Sequence, residues 1–214
     1  MIKKNILLFF LLIFLFSGCV EIVEEITVNP DKSGTICFYI DLGALGGLAM
    51  NMGDKYMQGT LMEQLKTIPA KSASILKEVK GLKNIKSLTN KNGLYKVSFD
   101  FENPKQLNDA IYNLLGQKKR WYEPKYMKIG SKKLVKKNYA PVLRMFANKY
   151  KTQMKDKSLM KTVSYKTIFH LPDEVKNFSN KKSIISADKK KLEFSCSAEE
   201  LLMTNISLRN KIKY

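Results

Sequence analysis

Apolar and polar positions alternate with a period of two over several stretches of this chain, and each such stretch predicts a strand with one buried face. Ile22, Ile26 and Val28 share a side from Glu21 to Val28, and Ile36, Phe38 and Ile40 do so from Thr35 to Leu42. Between them Asn29-Pro30-Asp31-Lys32-Ser33-Gly34 is turn chemistry, so the pair predicts a hairpin. Tyr95, Val97, Phe99 and Phe101 alternate after Asn92-Gly93, which predicts a second hairpin from Ile85 to Phe101. Further strands are expected at Val163 to Leu171, at Ile184 to Ala187 paired with Lys191 to Ser197, and at Ile206 to Tyr214. A basic hairpin is expected between Trp121 to Lys128 and Lys133 to Lys137.

Helical spacing appears between these stretches. Asn103-Pro104 opens a helix that carries Leu107, Ile111 and Leu114 on one side. Pro141 begins another with Leu143, Phe146, Tyr150 and Met154 aligned. Two short helices are expected at Thr60 to Lys66 and Ser72 to Lys80, with Ser72 as an N-cap. Strands in hairpins with helices inserted, and no regular βαβ rhythm, predict an α+β fold with a largely antiparallel sheet. A single domain is expected over residues 19–214, with 118–161 as a basic elaboration of it.

The first residues have a different character. Lys3 and Lys4 precede an apolar run from Ile6 to Phe16 and the small pair Ser17-Gly18, which is the order of parts of an export signal covering 1–18. The run is short of the roughly 20 residues needed to span a bilayer. Leu15-Phe16-Ser17-Gly18-Cys19 resembles the lipobox of bacterial lipoproteins, with Phe16 where Leu is usual. That resemblance implies a lipid thioether on Cys19 and removal of the preceding peptide. It also implies a mature chain held at a membrane by acyl chains, with no transmembrane helix expected. Val20 after Cys19, in place of the aspartate that retains some lipoproteins at an inner membrane, points to the outer membrane.

Charge sharpens this picture. The formal charge is +19, and it is unevenly spread. Residues 20–110 carry 11 basic and 11 acidic side chains, whereas 111–161 carry 15 against 2. The basic segment holds Lys118, Lys119, Arg120, Lys132, Lys133, Lys136 and Lys137, interleaved with Trp121 and several tyrosines. Lysines beside an anionic membrane contribute about 1 kcal/mol each, and Trp suits the wet interface. Nucleic acid would fit the charge, but an export signal takes the chain away from it. The segment Gly43 to Gly59 mixes glycines with Met50, Met52 and Met57 and is expected to be pliable, a candidate apolar site for an amphiphile.

Catalytic signatures are missing. His170 is the one histidine, and no nucleophile elbow or catalytic-cysteine pattern accompanies it. Glu24 and Glu25 are adjacent in a strand, so they point to opposite faces and cannot form a dyad. No metal-ligand spacing appears, and neither a cofactor nor an enzymatic activity is expected. Cys37 and Cys196 lie in strand-like segments and are candidates for a disulfide in an oxidising compartment, or for two small buried residues.

The order of elements resembles the LppM-like domain of bacterial lipoproteins. The likeness rests on the hairpin around Asn29 to Gly34, the Ser98 to Phe101 strand running into Asn103 to Leu115, and Tyr165 to Pro172 followed by Asn177 to Asn180. The resemblance implies a lipid- or glycolipid-handling envelope protein. This chain departs from that pattern in its basic insertion and in ending Ile212-Lys213-Tyr214 without a carboxyl-terminal membrane helix. The reading is of a non-enzymatic envelope lipoprotein that binds an amphiphile or an anionic surface. The alternative is a scaffold that recruits another envelope protein.

Overall fold

A computed structural model of the protein describes residues 20–43, 60–90, 93–116, 125–149 and 157–214. Eleven strands and five helices are described: β1 (Val20–Val28), β2 (Gly34–Asp41), α1 (Thr60–Lys77), β3 (Lys83–Thr89), β4 (Leu94–Phe101), α2 (Pro104–Leu114), β5 (Met127–Ile129), β6 (Lys133–Lys136), α3 (Ala140–Lys149), α4 (Lys157–Thr162), β7 (Val163–His170), β8 (Asn177–Phe178), β9 (Ser183–Ile185), β10 (Lys191–Ser197), α5 (Ala198–Met203) and β11 (Asn210–Lys213). They build two sheets. The large one has the order β3-β4-β2-β1-β7-β10-β9, and the small one β5-β6-β11-β8. Only the β1–β7 pair is parallel among these ladders; the rest are antiparallel. The class is therefore α+β with a largely antiparallel sheet.

Alternation decides the faces. Register places Ile26 beside Ile36 and Phe169, Ile36 beside Phe99, and Phe169 beside Leu192. All five are essentially fully buried. They pack with Leu76 of α1, Leu107 and Ile111 of α2, and Leu134 and Ile212 of the small sheet. A second cluster joins Tyr165, Phe194 and Cys196 to Ala140 of α3, Leu201 of α5 and Leu208. The inward face of the large sheet is thus covered by α1 and α2 at one side, by the small sheet in the middle, and by α3 and α5 near the start of β7.

Local chemistry explains the element ends. The Asn103 side chain accepts from the N–H groups of Lys105 and Gln106 at 3.0 and 3.1 Å, and Pro104 occupies the first turn of α2 where it sacrifices no helical bond. Gly34 opens β2 because nothing larger fits: a Cβ there would stand 2.0 Å from the Thr27 carbonyl oxygen and 2.8 Å from the Phe101 ring. On the free side of β5, the buried Asn108 side chain accepts from the N–H of Met127 at 3.0 Å and donates to its C=O at 2.9 Å. An amide of α2 therefore takes the place of a neighbouring strand.

Several expectations are corrected. One helix, α1, replaces the two expected on either side of Pro69, and Ser72 lies inside it. Packing of Ala73 and Leu76 against the sheet outweighs the roughly 3 kcal/mol that an interior proline costs. The carboxyl-terminal strand is confined to Asn210–Lys213, while Leu208 joins the helical cluster. There the Leu208 N–H finds Asn138 Oδ1, and Asn180 Nδ2 takes the Ser207 and Arg209 carbonyls, so side chains replace a ladder. Helix α5 was not expected, although Ser197-Ala198-Glu199-Glu200 is a capping box with both reciprocal bonds present.

The proposed disulfide is also overturned. Cys37 and Cys196 are both free and buried. Cys37 pairs with Glu25, Glu25 with Ile168, and Ile168 with Glu193, three residues from Cys196. The two thiols therefore lie three strands apart, about 14 Å at the usual spacing, and on opposite faces of the sheet. A disulfide needs Cα atoms within about 7 Å.

Candidate functional site

Strand β6 reads Lys133-Leu134-Val135-Lys136, and its alternation splits the lysines between two environments. Leu134 and Lys136 point inward and are buried; Lys133 is exposed. Register sets Lys133 directly opposite Lys213, and Val135 between Lys128 and Lys211. The outward face of the small sheet consequently presents Lys128, Lys133, Lys211 and Lys213, all exposed. Opposed residues on one face have Cβ atoms about 5 Å apart, and like charges so placed are destabilising. Among the described residues, no carboxylate pairs with any of the four. The face therefore carries a concentrated positive field that no carboxylate among the described residues offsets by direct pairing.

Lys132 is exposed beside this face, and Lys137 is half-buried. The expectation that Lys136 belongs to the same surface is wrong. Lys136 is 1% exposed and reaches across to β1, where Nζ lies 2.5 Å from Glu24 Oε2. Its other two donors go to Thr167 Oγ1 at 3.0 Å and the Tyr165 hydroxyl oxygen at 3.2 Å. Tyr165 in turn donates to Glu24 Oε2 at 2.7 Å. The rings of Tyr126 and Tyr165 flank the ammonium with centroids at 5.8 and 5.6 Å, within cation–π reach. Burial, then the Glu24 carboxylate, pushes the Tyr165 phenol well above its ordinary range, so it stays a donor.

This cluster saturates all three ammonium donors and joins the small sheet to β1 and β7 of the large one. Glu24 Oε1 and the Tyr126 hydroxyl are buried and have no hydrogen-bond partner among the described residues. Glu25, one residue away, points to the other face and pairs with His170 at 2.7 Å. His170 thus sits in an interior strand of the sheet and not at its edge. Glu21 pairs with Lys166 on that same outer face.

A shallow cleft of about 370 Å³ adjoins the β8 edge, lined by Ser179 to Lys182, Ile206, Ser207 and Arg209. One of its cations, Lys182, is already held by Glu200. Burial pushes the Cys196 thiol up to about 11 and raises that of Cys37, so neither is a thiolate nucleophile near neutral pH. Among the described residues, no group of three His, Cys, Asp or Glu side chains could hold a metal ion, and no helix is long and apolar enough to cross a membrane. Cys19, Met50, Met52, Met57, Lys118, Lys119, Arg120 and Trp121 lie outside the described residues.

Sequence reasoning missed Lys211 and Lys213 as members of the basic face. Their alternation with Ile212 was visible, but their pairing with β6 joins segments far apart along the chain.

No protein-family model matches the chain, and no curated protein sequence matches it. Among solved structures it is similar to the folded domain of LppM from Mycobacterium tuberculosis, determined by NMR. That similarity covers 92% of this chain and 91% of the other, at 9% sequence identity and a TM-score of 0.41. At this level of superposition no residue role passes from one chain to the other.

Proposed function

We propose that this protein is a non-enzymatic envelope lipoprotein, anchored through Cys19, that binds an anionic surface with the outer face of its small sheet. The observation that carries the reading is the set of four exposed lysines, Lys128, Lys133, Lys211 and Lys213, gathered by β-sheet register on a face where no carboxylate among the described residues pairs with them. Each lysine near an anionic lipid surface contributes about 1 kcal/mol, so the face supplies up to about 4 kcal/mol, screened over about 8 Å at physiological ionic strength.

The test uses residues 20–214 without the anchor. The domain should sediment with vesicles containing phosphatidylglycerol, should ignore vesicles of phosphatidylcholine alone, and should be released as salt rises. Changing the four lysines to Gln should abolish binding and leave the circular dichroism spectrum unchanged, because all four point to solvent. Equal binding by the variant across the salt series would dismiss this face as the contact. The lipid anchor is checked separately: Cys19→Ala should eliminate acyl labelling, and persistent labelling would refute the lipoprotein reading.

A further inference from the structure

The lysine face is set back from Val20, the first residue of β1. Strand β1 begins at Val20, so no residue separates it from Cys19. Lys136 meets β1 at Glu24, four residues or about 13 Å along the strand. From Lys136 the chain continues to Ala140, which packs with Tyr165 near the start of β7, beside Ile22. Lys133 therefore lies on the opposite side of Lys136, toward the far end of β1. Its partner Lys213 gives its carbonyl to the N–H of Lys176, six residues beyond His170 at the end of β7.

Packed sheets stand about 10 Å apart, and the lysine side chains project farther outward. Were the small sheet to lie flat on the membrane that holds the anchor, Val20 would be raised above the headgroups by more than that distance. One residue of backbone reaches about 3.8 Å. Tilting is opposed by α3 and α5, which pack on the inward face beside Tyr165, the partner of Ile22 near the start of β1. Lys161 of α4, exposed and two residues before the Val163 that pairs with Val20, is placed to touch the anchoring leaflet; the sheet lysines are not.

We infer that the small-sheet face engages the anionic headgroups of a second membrane surface, so that the lipoprotein bridges two membranes. The inference rests on the reading of Cys19 and of the lysine face given above. A planar surface fits better than a single polymer chain, since the lysines stand in two adjacent rows across an open sheet, Lys133 with Lys213 and Lys128 with Lys211.

The experiment reconstitutes the full lipidated protein into phosphatidylcholine vesicles and mixes them with labelled vesicles containing phosphatidylglycerol. Labelled vesicles should be captured at low salt and released at high salt. The four-lysine Gln variant should capture at least tenfold less. Adding phosphatidylglycerol to the anchoring vesicles should leave capture in trans intact, because the face cannot reach its own leaflet. Capture abolished by anionic lipid in cis would overturn the bridge, as would capture of soluble polyphosphate without capture of vesicles. Binding of the anchor-free domain to anionic vesicles separates the two readings: if it binds and the lipidated protein captures nothing, the bridge alone fails.

Discussion

Lys136 and Glu24, separated by 112 positions in the chain, form a charge pair in the interior between the two sheets, with side chains 1% and 4% exposed. Removing one member leaves the other charged and desolvated, which typically costs 3–5 kcal/mol, whereas an apolar pair of similar volume is often neutral or better. Glu24→Leu and Lys136→Met should each lower the urea midpoint by an amount equivalent to about 3 kcal/mol or more. The double change Glu24→Leu with Lys136→Met should recover most of it. Additive losses in that cycle would show that the two side chains do not act as a pair.

The apolar parity of both strands made this pair partly legible. Glu24 shares its face with Ile22, Ile26 and Val28, and Lys136 shares its face with Leu134, so each charge stands at a core position of its own strand. Reading every lysine of the basic run as solvated concealed the conflict. The hairpins β1–β2, β3–β4 and β9–β10 and helix α2 were legible because their turns and caps are local. The parallel β1–β7 ladder and the β6–β11 pairing were not, since sequence spacing carries no signal for partners more than 70 residues apart. The failure at Pro69 has the same origin: a local breaker was overruled by contacts made elsewhere.

Gly34 is fixed by space and not by its backbone angle. Gly34→Ala should destabilise the domain by about 1–3 kcal/mol, the usual penalty for overpacking, because the Thr27 carbonyl cannot retreat without breaking the β1–β2 ladder. Thermal unfolding measures this directly. An unchanged melting temperature would mean that the hairpin opens there without cost.

Helix α5 depends on its cap. Ser197→Ala removes the acceptor for the Glu200 N–H and should cost about 1 kcal/mol, and Glu200→Ala should cost less than twice that while also freeing Lys182. Hydrogen exchange of the α5 amides reports the change even where global stability barely moves. Wild-type protection in both variants would deny the capping box its role.

Alkaline pH should weaken the fold through Cys196. Its thiol titrates near 11 in the folded chain against 9.0 for an unburied thiol, so between those values the unfolded chain has already lost a proton that the folded one keeps. Stability from this group is complete below pH 9 and falls as pH rises toward 11. Cys196→Ala should flatten the stability curve over that interval relative to wild type, and an identical slope would place the alkaline loss on other groups. Neither thiol should react with alkylating reagents at pH 8 until denaturant is added.

The amide of Asn108 that closes the free side of β5 bears on the proposed anchoring through Cys19. Copies held in one leaflet would diffuse in two dimensions and collide side by side, the geometry in which unpaired strand edges recruit one another into continuous ribbons. With both backbone groups of Met127 already engaged by Asn108, a colliding neighbour finds the first pairing position of that edge occupied. The β3 edge of the large sheet carries Lys86 and the Lys83–Glu102 ion pair, charged groups of the kind that discourage a second copy from aligning against an edge strand. On the membrane surface proposed above, these two edges would resist ribbon formation.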